Sequence, residues 1–175
     1  MTVEREMLAL RDGTVVPVRE VRAEDAPALR RLVGRSSERS VYLRYFGPMK
    51  ELSKEQARHF AEVDGRNRFA LVALDPEDED EIVAVVRYDR EGESDTAEYA
   101  ALVEDRWQGR GVGIGLTRRV IEAARQNGLR RLCALVLHEN TGMLQLLQSL
   151  ELPEKQRFED GVEHIDIYLR PDQVA

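Results

Sequence analysis

At 175 residues the chain is long enough for one domain with its own core, and its formal net charge of −7 argues against general nucleic-acid binding, which requires clustered basic charge. A single cysteine, Cys133, excludes an intramolecular disulfide, and three scattered histidines (His59, His138, His164) with no Cys/His cluster argue against a metal. No apolar leader or membrane-length run is visible, which predicts a cytoplasmic protein with one domain over residues 1–175 and no membrane or nucleic-acid partner.

In chain order, Asp12-Gly13 signals a turn and the alternation from Thr14 to Val21 predicts a first strand. Glu24 and Asp25 open a helix to about Val33, with acids at its positive end. A short helix is expected over Glu38 to Leu43, ended by Phe46-Gly-Pro-Met, and Ser53-Lys-Glu-Gln56 is a capping box for a helix to about Ala61. Two strands follow, Phe69 to Leu74 and Ile82 to Tyr88. The acidic run Asp75 to Glu81 between them reads as a solvated turn. Ala97 to Val103 is a strand that feeds a glycine-rich segment, and the helix beyond it carries Val112, Leu116, Val120, Ile121 and Ala124 on one stripe up to Asn127-Gly128. The unbroken apolar run Leu132 to Leu137 predicts a strand buried on both faces, with Cys133 a small buried residue. A helix over Asn140 to Leu150 and a closing hairpin through Asp160-Gly161 complete the chain. The expected class is α/β, a mixed sheet with helices on both faces.

The segment from Val103 to Gly115 is the most informative. Gly109, Gly111, Gly113 and Gly115 recur at every second position between a strand and an amphipathic helix. Glycine carries an entropic cost, so such a run at a helix entrance implies that the backbone approaches a ligand. N–H groups exposed at a helix N-terminus suit an anion such as a diphosphate. The dinucleotide pattern G-x-G-x-x-G fits no register of these glycines, and no Gly-Lys pair exists for a triphosphate loop. Gln108, Gly111 and Gly113 do match Q-x-x-G-x-G.

That pattern, in this order of elements, resembles the acyl-CoA motif of the GNAT superfamily of N-acetyltransferases. The segments Tyr42-Leu-Arg-Tyr-Phe-Gly-Pro-Met, Leu52-Ser53, Val63-Asp64 and Ala70-Leu-Val-Ala73 extend the resemblance to the catalytic domain of bacterial Pat-type protein lysine acetyltransferases. The resemblance implies the GNAT fold, acetyl-CoA as co-substrate without a metal, and a lysine of an acyl-CoA synthetase-like protein as acceptor. An acidic chain fits an acceptor that carries a protonated amine. A small-molecule amine as acceptor, or an acyl-CoA sensor without turnover, would share the same fold and motif.

By the same resemblance, Gln108, Gly109, Arg110, Gly111, Val112 and Gly113 wrap the diphosphate, with the Arg110 charge at the rim. Leu102 and Val103 offer backbone groups to the pantetheine arm, and a backbone N–H near Val103 meets the oxyanion. Asn140 either touches that arm or caps its helix. The amine needs a base, because a free lysine has a pKa near 10.4. Glu98 is a carboxylate within an otherwise apolar strand. Its residues alone leave open a surface salt bridge or a partly buried base; the resemblance makes it the general base. Glu104 and Asp105 are weaker candidates, read as loop acids, while His138 reads as structural and Tyr99 as core. The tyrosine acid of many GNAT enzymes would fall at Leu147, so it is missing, and Glu151-Leu152 replaces the usual Gly-aromatic pair.

Overall fold

The computed structural model describes residues 6–170. The first half contains β1 (Glu6–Ala9), β2 (Val15–Glu20), α1 (Ala26–Arg35), α2 (Glu38–Tyr45), α3 (Lys54–Ala61), β3 (Arg68–Asp75) and β4 (Asp78–Arg90). The second contains β5 (Thr96–Val103), α4 (Val112–Gln126), β6 (Arg131–Leu137), α5 (Thr141–Gln148), β7 (Glu154–Glu159) and β8 (Val162–Tyr168). The strands form one eight-stranded sheet in the order β1-β2-β3-β4-β5-β6-β8-β7. Every neighbouring pair is antiparallel except β5 with β6, so the expected mixed sheet is observed.

Two cores lie on opposite faces. On one, α4 buries Leu116, Val120, Ile121 and Ala124 against Val86, Tyr88, Leu132 and Ile165. The 3.6-residue spacing of those α4 side chains makes a single apolar stripe, and Gly128 (φ 81°) turns the chain away after it. On the other face, α1 to α3 seat Leu29, Leu32, Val41 and Ala57 over Val72, Leu74, Ile82 and Leu102. Ser37 and Ser53 cap α2 and α3, the latter with the reciprocal Gln56 bond of a capping box. Among the described residues no helix is long and apolar enough to cross a membrane, and no group of three or more His, Cys, Asp or Glu is placed to hold a metal.

Several expectations need correction. The strand expected first is β2; the four-residue edge strand β1, too short and irregular to show a period, precedes it. The acidic run is a tight hairpin, because β4 starts at Asp78, directly paired with Asp75. Its acids are also anchored: Asp75 accepts from Arg106 (3.0 Å) and Glu81 from Arg31 (2.7 Å). β6 is buried on one face only. Leu132, Ala134 and Val136 are buried, while Leu135 on the other face is 39% exposed because no helix covers it there. Apolar composition alone cannot separate a strand buried twice from one whose second face lines a groove.

Tyr99 is core, as expected: its hydroxyl pairs with Thr117 Oγ1 at 2.8 Å, and burial pushes its pKa up to about 12. After α5, Glu151 takes a left-handed backbone (φ 56°), so the turn that glycine usually makes is kept by a residue with a Cβ. Glu151→Gly is therefore expected to raise stability by about 1 kcal/mol, read as a higher urea midpoint. An unchanged midpoint would show that the turn carries no strain.

Candidate active site

The site begins where two strands part. β5 and β6 pair in parallel only from Thr96↔Arg131 to Tyr99↔Ala134. Beyond that, β5 stays in register with β4 as far as Val103, and β6 follows β8. A wedge-shaped gap opens between them. Glu104 N–H bonds Val83 O at 2.9 Å, and alternation from that pair turns the peptide groups of Leu102 toward β4. The groups facing the gap are those of Ala101 and Val103. Leu102, expected to offer its backbone, instead gives β4 its hydrogen bonds. The Val103 carbonyl accepts from Gln108 Nε2 (2.9 Å), which leaves the Val103 N–H facing the opening.

The glycine segment closes one end of the gap. Gly109 (φ 72°) and Gly111 (φ 99°) adopt left-handed backbone that lets the chain double back before α4. Gly113 and Gly115 have a different reason: a Cβ at Gly113 would sit 2.9 Å from Leu146 Cδ1, and one at Gly115 would sit 2.7 Å from Leu8. The ladder thus divides into two glycines for conformation and two for close packing. The first chain-satisfied N–H at this end is that of Gly115, bonded to Gly111 O at 3.1 Å. Among the described residues, the N–H groups from Gly109 to Ile114 have no acceptor within the chain. They gather at the positive end of a fifteen-residue helix, a setting that favours an anion.

These N–H groups border a groove of ≈ 420 Å³. Of the expected site residues, Leu102, Val103, Gln108, Gly109, Gly111, Gly113 and Asn140 line it. Val112 has its side chain buried in the core and is not among the residues that line the groove. The Gln108 N–H is spent on Asp105 O (3.1 Å). The Arg110 side chain does not reach the groove: it pairs with Asp12 (2.9 Å), donates to Thr14 Oγ1 (3.1 Å) and lies 4.3 Å over the Trp107 ring. The Thr14 N–H and its neighbours hold Asp12 down to a pKa of about 2, so this pair stays ionised. Asn140 does both things expected of it: Oδ1 caps α5 through Met143 N–H (3.2 Å) while the residue borders the groove.

A second groove opens on the face of the sheet left bare by β6, and it contains Glu98 with Tyr45, Phe46 and Leu135. The two grooves share Leu43, Arg44, Ala101, Asn140 and Met143, so they meet through the gap between β5 and β6. Glu98 lies between Asp89 of β4 and Cys133 of β6 and is exposed, where the sequence suggested partial burial. Burial and the neighbouring Asp166 push the Cys133 thiol up to about 11, which keeps it protonated and poorly nucleophilic. Among the described residues, no tyrosine, histidine or cysteine borders the larger groove, and Leu147 points into the core.

The remaining candidates hold the frame. Glu104 is 5% exposed and accepts from Arg106 Nε (2.6 Å) and Arg35 Nε (3.3 Å). Asp105 accepts from Ser37 N–H (2.8 Å), Ser37 Oγ (2.7 Å) and Ser40 Oγ (3.0 Å), fixing α2 over the groove. His138 bonds Glu163 (3.0 Å) away from both grooves. Arg11, Arg44, Ala101 and Trp107 all border the larger groove and carried no sequence signal of their own.

The family model described as an acetyltransferase (GNAT) domain matches residues 16–152. The chain belongs to the GNAT acetyltransferase family. It is 32% identical over 143 residues to Acetyltransferase PA5475 of Pseudomonas aeruginosa, covering 81% of this chain and 77% of that protein. It is 33% identical over 112 residues to Acetyltransferase Pat of Mycolicibacterium smegmatis, covering 61% of this chain but 32% of that longer protein. The crystal structure of the GNAT domain of S. lividans PAT superposes with a TM-score of 0.86 at 34% identity, over 94% of this chain and 96% of that one. The Pat-type resemblance read from the sequence is therefore supported in both sequence and structure.

In this GNAT domain the Asp105 bonds have a pH signature. Partial burial raises the carboxyl pKa, but the bonds from Ser37 and Ser40 outweigh it and hold it below the ordinary value. A depressed native pKa stabilises the fold above the unfolded-state value, near 3.9, and the gain is lost as pH falls through the native value. Asp105→Asn should melt below wild type at neutral pH, and the gap should close in acid as pH falls below the unfolded-state value. A gap that persisted in acid would assign Asp105 a role other than its charge.

Proposed function

We propose that this GNAT acetyltransferase transfers the acetyl group of acetyl-CoA to a lysine ε-amine of a protein, in the cytoplasm, with Glu98 as general base. The observation that carries the reading is the passage through the sheet: anion-seeking N–H groups border one mouth and a carboxylate stands at the other. The residues fit the donor. The N–H groups of Gly109, Gly111, Val112 and Gly113 suit a diphosphate, the free edge at Ala101 and Val103 suits the amides of pantetheine, and Asn140 lies where the grooves meet. Acetyl-CoA, when bound, supplies an acyl thioester reactive toward a neutral amine.

The chain's own work is to hold, deprotonate and stabilise. The Val103 N–H is a fixed dipole facing the open end of the gap, suited to negative charge that builds on an acyl oxygen. At 3.3–3.4 Å per residue, Glu98 lies about 10 Å along the strand from Ala101, so the amine proton reaches it through water in the groove. Glu98 is exposed, and an acceptor surface seated over it would exclude bulk water from its carboxylate. Such covering is what a protein acceptor provides and a small amine does not. Similarity to the S. lividans PAT domain supports the same choice.

The test is incubation with acetyl-CoA and an acyl-CoA synthetase, read by mass for a single acetyl-lysine. Thiol release with small amines but no modified protein would move the acceptor class. CoA binding with no thiol release from any acceptor would make the protein a sensor. Glu98→Gln should bind CoA as wild type does and transfer about 10²- to 10⁴-fold more slowly. An unchanged rate would remove Glu98 from the mechanism.

A further inference from the structure

Two arginines stand at the phosphate end of the larger groove, and the structure gives them opposite tasks. Arg110, within the glycine segment, is fully engaged by Asp12, Thr14 and the Trp107 ring, and it does not border the groove. Arg11, in the turn between β1 and β2, borders the groove, and its guanidinium has no hydrogen bond or ion pair among the described residues. Its stem crosses the glycine segment: Cγ and Nε lie 3.7 and 3.9 Å from the position a Cβ on Gly111 would take. The Arg11 N–H bonds Arg110 O at 3.3 Å, which fastens the turn to the segment. The hairpin is also pinned to α4, by Leu8 against Gly115 and by Arg119 donating to Met7 O (3.0 Å).

We propose that Arg11 is the side-chain cation that pairs with a phosphate of the CoA donor. This rests on the donor reading above. A row of neutral N–H groups and a helix dipole worth about half a charge leave most of the negative charge of CoA unmatched, so a cation at that mouth is called for. Asp12, the acid closest to Arg11 in sequence, cannot neutralise it, because Arg110 holds Asp12. The other arginine of the groove, Arg44, stacks 4.5 Å from the Tyr45 ring at the opposite end, where the two grooves meet. Arg11 is left as the unpaired charge beside the unpaired N–H groups. The phosphate it meets is either the diphosphate or the 3′-phosphate on the ribose.

The measurement is calorimetric titration of the whole chain with CoA and with dephospho-CoA, for wild type, Arg11→Ala and Arg11→Lys. Arg11→Ala should melt with wild type and bind CoA about tenfold more weakly, the loss expected for one charged pair. Its Kd should rise less steeply with KCl than that of wild type, and Arg11→Lys should recover part of the affinity. If Arg11 meets the 3′-phosphate, Arg11→Ala no longer distinguishes CoA from dephospho-CoA. If it meets the diphosphate, both ligands weaken together. Wild-type affinity in Arg11→Ala, or weaker binding with unchanged salt dependence, overturns the assignment while leaving the donor reading intact. A wild-type protein that binds neither ligand overturns the donor reading and this assignment with it.

Discussion

The parting of β5 from β6 is the constraint on which the rest of this structure depends. Four residue pairs of parallel ladder hold the two strands together. After them, each strand is committed to its antiparallel neighbour on the other side, β5 to β4 and β6 to β8. The gap breaches an otherwise continuous sheet and leaves peptide groups of Ala101 and Val103 without strand partners. Unpaired backbone groups inside a protein are costly, so a gap of this kind is stable only when water or a ligand satisfies it. The same feature joins the groove beside the glycine segment to the groove around Glu98.

Around that gap the charged residues act mainly as struts. Glu104 joins Arg35 of α1 to Arg106 of the loop, and Asp105 locks the N-terminus of α2. Gln108 ties the loop both to Val103 O and to Ser40 Oγ (3.1 Å). Together these contacts bring α2 over one wall of the groove while leaving the N–H groups of Gly109 to Ile114 uncommitted. Arg110 and Asp12 serve the same purpose from the other side, coupling the β1–β2 turn to the glycine segment. Glu104 and Asp105, read in the sequence as loop acids, have partners in three dimensions that show them to be supports.

Much of this was legible beforehand. The stripe on α4 and the capping box at Ser53 depend on neighbours within a turn or two, and they fell where the local pattern put them. The hairpin at Asp160-Gly161 also needs only local chemistry, and both residues are left-handed there (φ 52° and 79°). The glycine spacing pointed to an anion and then, by resemblance, to CoA. What escaped was non-local. β1 has no pattern of its own and exists because β2 offers it an edge. The bare face of β6 is set by which helices fail to reach it.

The sequence by itself determined the fold class, the family and the position of the glycine-rich loop, because each is written in short-range patterns of glycine, apolar spacing and caps. It could not decide which arginine reaches the groove, which strand residue leaves its backbone free, or whether Glu98 is covered. Those depend on distances between segments up to a hundred residues apart. Arg110 lies within the motif and draws the eye in the sequence, whereas Arg11 carries no signal there. Only the folded chain shows Asp12, Thr14 and Trp107 gathered around one of them and Gly111 lying open beside the other.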